Sequence, residues 1–305
     1  MKRITAALIL AMGLMLLIAF LGPNGYKSAV VFWHYRQILY RKGSPDDHYR
    51  AIARYPEHAY RLAARKLESA QEHPVVSVEI LRQMGDTRSV ELICRTLERG
   101  VEPPWCAYSL RVIGTRQARE ALSGALDNAN PEVRRFAYNS YLPLVAHDAG
   151  RVADTCRKGM NDRAIAVRIE VLRCLEGLPP EVRSALKADL VALFESKSGG
   201  KLKQLATELL AKDCYGPAVD VVIRDIEGKL REGDPAIVRD DLRLVGRGCR
   251  KSIVPRLLKL ARECPKDKAW AVLETISDIA GRNYNNYFKN VSEAEEWWSR
   301  ANTTE

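Results

Sequence analysis

The feature that most constrains this chain is an internal repeat with a period near 35 residues. Four segments pair an aliphatic residue with a following cation, at Val133-Arg134, Val167-Arg168, Leu202-Lys203 and Val238-Arg239, with steps of 34, 35 and 36 residues. Apolar residues between them recur three and four positions apart, and no segment alternates in the manner of a strand. A drifting period of this length with only helical patterns predicts helical hairpins stacked in a row.

Local start and stop signals divide the chain in the same way. Asn130 and Asp234 each precede a proline, which is typical of an N-cap followed by proline at the first helical position. Ser292–Glu295 has the pattern of a capping box and predicts the start of the last helix. Glycines follow apolar helical stripes, where a left-handed C-terminal residue is needed, at Gly85, Gly114, Gly246 and Gly281.

Two stretches resemble a known type of repeat. Residues 85–93 (Gly-Asp-Thr-Arg-Ser-Val-Glu-Leu-Ile) and 113–122 (Ile-Gly-Thr-Arg-Gln-Ala-Arg-Glu-Ala-Leu) resemble the turn and first helix of the HEAT-like repeats first described in phycobilisome lyases. The resemblance covers about residues 75–281. It implies an all-α fold, a right-handed α-solenoid of about six to seven HEAT-like helical hairpins. The tail with Trp297 and Trp298 resembles the closing segment of bacterial HEAT-repeat proteins.

The N-terminus predicts a single transmembrane helix. After Met1-Lys2-Arg3, the uncharged segment Ile4–Gly22 would span roughly 28 Å as a helix, about the thickness of a bilayer core. A cleaved signal peptide is the alternative, but Phe20 and Leu21 stand where small residues are needed for cleavage. Because a short basic N-terminus usually stays inside, the body is expected on the exported (periplasmic or extracellular) side.

Four segments follow from these signals: a membrane anchor or signal peptide at 1–25, a juxtamembrane helical segment at 26–74, HEAT-like repeats at 75–281 and a C-terminal capping segment at 282–305. Aromatic residues between 29 and 40 suit either a membrane interface or packing against the first repeat. In the last segment, Trp297 and Trp298 are expected to cover the end of the final hairpin, because terminal units of solenoids need such cover.

The chain carries no recognisable catalytic motif, so we expect it not to be an enzyme and to hold no cofactor or metal. Nucleophile elbows, phosphate-binding loops and zinc-protease motifs are missing from the sequence. Its five histidines share no metal-ligand spacing, and its seven cysteines form no Cys-x-x-Cys pair. The cysteines fall mostly at apolar helix positions, which predicts buried thiols, with disulfides or a reactive thiol as the alternative.

A net charge of +10 suits an anionic partner. Equivalent residues of a solenoid align on one surface, so the four repeated cations are candidate partner-binding residues: Arg134, Arg168, Lys203 and Arg239. The alternative is that these cations hold the hairpin turns, for which Asp162 and Asp234 are available as partners.

The sequence predicts a non-enzymatic protein-binding scaffold or adaptor tethered to a membrane, whose partner has an acidic face. Nucleic-acid binding, as in HEAT-like DNA glycosylases, is an alternative that the membrane span and the few aromatic residues disfavour. A bilin lyase or isomerase activity is implied by the repeat resemblance alone.

Overall fold

The structure, a computed structural model, describes residues 22–40, 43–69, 73–196, 200–233 and 235–302. Helices and short turns make up these ranges, and no strand occurs in them, which confirms the predicted all-α class. The predicted span Ile4–Gly22 lies outside the described residues except for its last position. Within the described ranges, no helix is both long and apolar enough to cross a membrane.

The chain forms two compact units, Met1–His147 with Arg163–Glu170 and Asp148–Asp162 with Val171–Glu305. The first unit contains α1 (22–39), α2 (Pro45–Ala53), α3 (Pro56–Ser69), α4 (Pro74–Met84), α5 (Thr87–Glu98), α6 (Pro103–Ile113), α7 (Arg116–Ala125) and α8 (Pro131–Leu144). Helix α9 (Ala149–Met160) belongs to the second unit, and the boundary between the units falls inside α10 (Ile165–Glu176).

The rest of the second unit is also helical. It contains α11 (Pro180–Ala185), α12 (Lys187–Glu195), α13 (Lys201–Lys212), α14 (Gly216–Glu232), α15 (Arg239–Cys249), α16 (Val254–Glu263), α17 (Ala269–Ile279) and α18 (Val291–Asn302). Three short 3-10 turns separate some of them: η1 (Pro235–Val238), η2 (Arg250–Ile253) and η3 (Tyr284–Asn286).

Two layers of helices build the first unit. Helices α2, α4, α6 and α8 pack side by side in one layer, and α3, α5 and α7 pack in the other. Consecutive helices from α2 to α8 also contact each other, so each short turn closes a hairpin. This arrangement is compatible with the helical repeat that the sequence predicts.

The two stretches that resemble one another in sequence have the same turn geometry. Gly85 (φ 62°) and Gly114 (φ 64°) end α4 and α6 in the left-handed conformation that favours glycine. Asp86 then caps α5 by accepting a hydrogen bond from the Ser89 amide at 2.7 Å. Thr115 caps α7 by accepting one from the Ala118 amide at 3.2 Å. The predicted C-terminal glycines are therefore confirmed at these two turns.

In the second unit, α13, α15 and α17 form one layer, with α12 and α14 packed on α13 and α16 packed on α17. The interval between the repeated cations of α10 and α13 holds two short helices, α11 and α12, which meet at Leu186. The chain leaves helical geometry at Leu186, whose backbone has φ −102° and ψ 5°, so α11 and α12 are separate helices.

Two predicted helix boundaries in the second unit are wrong. Helix α15 continues past Gly246 to Cys249, because this glycine serves packing: a Cβ atom there would lie 2.7 Å from the Thr275 methyl carbon. The last helix begins at Val291 and is capped by Asn290, which accepts a hydrogen bond from the Glu293 amide at 3.0 Å. The predicted Ser292 capping box is thus displaced by two residues. Asp234, the other predicted N-cap, lies outside the described residues.

The C-terminal segment buries a phenylalanine beneath its last helix. Phe288 is buried at 4% exposure, and its amide donates a hydrogen bond to the Ser277 hydroxyl at 2.9 Å. The Trp297 ring centroid lies 5.6 Å from that of Phe288, and α18 packs on both α16 and α17. Both Trp297 and Trp298 are only half-buried, so Phe288 is the aromatic residue that fills the interior beneath α18.

Candidate functional site

The first of the four repeated cations lies inside the fold. Arg134 is 4% exposed in α8, and its Nη1 donates hydrogen bonds to the carbonyl oxygens of Asn128 at 2.7 Å and Ala129 at 3.0 Å. Asn130 caps the same helix by accepting from the Glu132 amide at 3.0 Å. Arg134 therefore ties down the turn between α7 and α8, which supports the alternative reading of this cation.

The other three cations lie at partly exposed positions. Arg168 is half-buried in α10. Lys203 donates from Nζ to the Ser196 carbonyl at 3.3 Å. Arg239 pairs with Glu274 at 3.1 Å, and its Cζ lies 5.3 Å from the Trp270 ring centroid. Because two of the four cations belong to the first unit and two to the second, a single continuous row stays a prediction.

A second turn-holding arginine was missed by the sequence analysis. Arg183 is 9% exposed, donates from Nη1 to the Leu178 carbonyl at 3.1 Å and pairs through Nε with Asp213 at 3.0 Å. The signal was present, since Pro-Glu-Val-Arg at 180–183 repeats the residues at 131–134. The two motifs are not separated by the 35-residue period, so the period alone does not identify Arg183.

The first unit exposes an aromatic surface on α6 that the sequence analysis also missed. Trp105, Tyr108 and Val112 are 43%, 40% and 47% exposed and share one side of the helix. Trp105 and Tyr108 meet edge to face with ring centroids 6.3 Å apart, and the Arg111 Cζ lies 5.4 Å from the Tyr108 ring centroid. We call Trp105, Tyr108, Arg111 and Val112 the α6 face.

Helix α1 carries a second row of exposed aromatic residues. Tyr26 and Trp33 lie in α1 and Tyr40 directly follows its last residue; the three are 41%, 54% and 59% exposed and lie seven residues apart, so they share one side. Val31 and Tyr35 are each 1% exposed on the opposite side. We call Tyr26, Trp33 and Tyr40 the α1 stripe. The buried side packs within the fold, so the stripe is free to meet another surface.

The thiols of the described chain fall into two groups. Burial raises the pKa of Cys94 to about 11 and of Cys156 to about 12, and it also raises the pKa of Cys106. These groups stay protonated at neutral pH and are poor nucleophiles. Cys214 and Cys249 form a disulfide, so the expectation of free buried thiols does not hold for this pair.

Among the described residues, no group of three or more His, Cys, Asp or Glu side chains is arranged to hold a metal ion. No protein-family model matches the chain, and no curated protein matches it significantly.

Proposed function

We propose that the protein is a non-enzymatic helical-repeat adaptor of the HEAT-like type, tethered to a membrane, which binds another protein through the α6 face. The α6 face is the observation that carries this proposal. Exposed Trp and Tyr side chains beside a half-buried Arg on a rigid element have the composition of binding hot spots, because the aromatic rings present large contact areas at a small cost in conformational entropy. The layered hairpins beneath them hold the face in place.

The partner is expected to present an acidic surface. Helix α6 contains no acidic residue, and Arg111 stands beside its aromatic rings. On the neighbouring helix α8, the Arg135 Cζ lies 4.3 Å from the Phe136 ring centroid. The net charge of +10 adds long-range attraction for an anionic partner. Exposed ion pairs would add about 1 kcal/mol or less each, so the aromatic residues should supply most of the affinity.

Replacing Trp105 and Tyr108 together by alanine should abolish partner capture without unfolding the protein. A photo-crosslinking amino acid at position 112 of the full chain would first identify the partner in native membranes. The double variant should then bind the purified partner roughly several hundredfold more weakly, since each hot-spot residue contributes about 2 kcal/mol, or about thirtyfold.

Ile165→Ala is the matched control, because Ile165 is 61% exposed in the same unit but lies on α10. It should leave the affinity unchanged. Retention of full affinity by a folded Trp105→Ala/Tyr108→Ala variant would refute the α6 face. A crosslink to nucleic acid instead of protein would favour the nucleic-acid alternative.

The α1 stripe supports the membrane tether. Tyr and Trp residues are enriched at the level of lipid headgroups, and the stripe follows an apolar segment in sequence. The full chain should remain in the membrane pellet after alkaline carbonate extraction. An environment-sensitive thiol-reactive fluorophore at Trp33→Cys should shift to the blue in lipid vesicles, whereas one at the exposed Arg119→Cys should not. Release by carbonate together with equal emission at both positions would refute the tether.

A further inference from the structure

An open cleft of about 870 Å³ lies in the second unit, where α15 and the η2 turn meet α17. Four cationic residues line it: Arg243, Arg247, Arg250 and Lys251. Asp278 is the one acidic residue among the lining residues that the structure describes. A cleft with this excess of positive charge attracts anions, because its low-dielectric walls focus the field of its cations.

The acids near the cleft do not neutralise it. Glu274 lies 3.5 Å from Arg243, and it is shared with Arg239 at 3.1 Å. Asp278 accepts a hydrogen bond from the Tyr287 hydroxyl at 2.9 Å. Arg247 and Arg250 are exposed and have no carboxylate within ion-pair distance in the described part of the chain. Two guanidinium groups are therefore available for a ligand.

The backbone fixes one of these two arginines in place. Arg250 has φ 46° and ψ −127°, a conformation that non-glycine residues rarely adopt. It directly follows Cys249, which is bonded to Cys214, and the Ser252 hydroxyl donates to the Cys249 carbonyl at 2.6 Å. Strained conformations of this kind persist only where the surroundings hold them, and they cluster at functional sites.

We propose that this cleft binds a phosphate group, with Arg247 and Arg250 as its principal ligands and Arg243 and Lys251 on its rim. Guanidinium groups match phosphate oxygens with two parallel hydrogen bonds, which makes arginine well suited to phosphate recognition. The volume falls in the range of small-molecule sites, about 300–1,000 Å³. The site belongs to the second unit, so it is independent of the α6 face and of the function proposed for it.

Calorimetric titration of the full chain with pyrophosphate tests the proposal. The wild-type protein should show saturable binding that weakens with added salt. The Arg247→Gln/Arg250→Gln variant should bind at least about tenfold more weakly, because it loses two charge-assisted contacts. Arg224→Gln/Arg231→Gln is the matched control, since it removes two cations of α14 in the same unit. It should bind as the wild type does.

Two further measurements complete the test. The Arg247→Lys/Arg250→Lys variant keeps the positive charge but loses the paired hydrogen bonds, so it should bind pyrophosphate with intermediate affinity. It replaces the glutamine variant in the comparison if that variant fails to fold. Vesicles with phosphatidic acid, compared with phosphatidylcholine alone, distinguish a lipid phosphate from a soluble one. Absence of saturable binding by the wild type, or equal binding by the folded glutamine variant and the α14 control, would overturn the proposal.

Discussion

Gly248→Ala is expected to destabilise the second unit by at least about 3 kcal/mol, because it forces two helices apart. A Cβ atom at this position would overlap the Lys212 carbonyl oxygen and lie 2.7 Å from its carbonyl carbon. Both atoms belong to the backbone at the end of α13, so no side-chain rotation relieves the overlap. Helices α13 and α15 pack directly on each other, and their separation would open the core of the layer.

Gly228→Ala provides the matched comparison. Gly228 lies inside α14 of the same unit, is exposed, and would meet no atom within 4 Å through an added Cβ. This variant should gain about 1 kcal/mol, because alanine loses less backbone entropy than glycine in a helix interior. Urea titrations followed by tryptophan fluorescence would measure both changes. Equal urea midpoints of unfolding for the wild type and Gly248→Ala would show that α13 and α15 do not pack as closely as the structure indicates.

The sequence predicted the parts of the fold that depend on neighbouring residues. The turns at Gly85 and Gly114 and the cap at Asn130 each depend on the backbone geometry of a few adjacent positions. A glycine after an apolar helical stripe and an asparagine before a proline are therefore sufficient signals. The all-α class was predictable for the same reason, because helical spacing is a local property of the chain.

The glycines of α15 show where local reasoning fails. Gly246 follows an apolar stripe just as Gly85 does, but it does not end its helix. Its missing side chain instead allows the Thr275 side chain of α17 to pack closely against it. Gly248 likewise allows the backbone of Lys212, which lies in a different helix, to approach closely. Such requirements depend on how closely helices pack, and nothing in the residues beside a glycine distinguishes a helix end from a close contact.

The candidate sites were harder to predict than the turns. Arg134 was a candidate either for partner binding or for holding a hairpin turn, and its burial with two carbonyl partners supports the second role. Conversely, Trp105 and Tyr108 have the spacing of a buried stripe, and only the packing of α4 and α8 beside α6 shows that they face outward. Which side of an amphipathic helix meets the core depends on its neighbours, and a helix with apolar residues on several sides leaves that choice open.

The disulfide has a signal in the sequence, which is the spacing of its two cysteines. Cys214 and Cys249 are 35 residues apart, which is the repeat period, so they occupy equivalent places in adjacent repeats. Equivalent places at the ends of neighbouring helices come close together when hairpins stack. Their Cα atoms are 4.9 Å apart, within the range that a disulfide requires.

Removal of this disulfide should lower the stability of the second unit by about 4 kcal/mol. The bond closes a segment of 35 residues, and in the chain-entropy treatment most of its effect comes from restricting the unfolded state. For a unit of this size, the melting temperature should fall by about 10 °C. Melts of the wild type with and without dithiothreitol would measure the change, and Cys214→Ser should melt at the lower temperature in both conditions.

Alkylation of the denatured, non-reduced protein decides whether the bond exists before any melt is compared. Cys94, Cys106, Cys156, Cys174 and Cys264 are not disulfide-bonded and should each be modified, while Cys214 and Cys249 should react only after reduction. Modification of all seven without reduction would show that the bond is absent. In the native protein, the raised pKa values of Cys94, Cys106 and Cys156 should keep these thiols slow to react as well.

The Cys214–Cys249 disulfide directly precedes Arg250 in the chain, so it should help to hold the cleft in its binding conformation. The reduced protein should therefore bind pyrophosphate more weakly than the oxidised one.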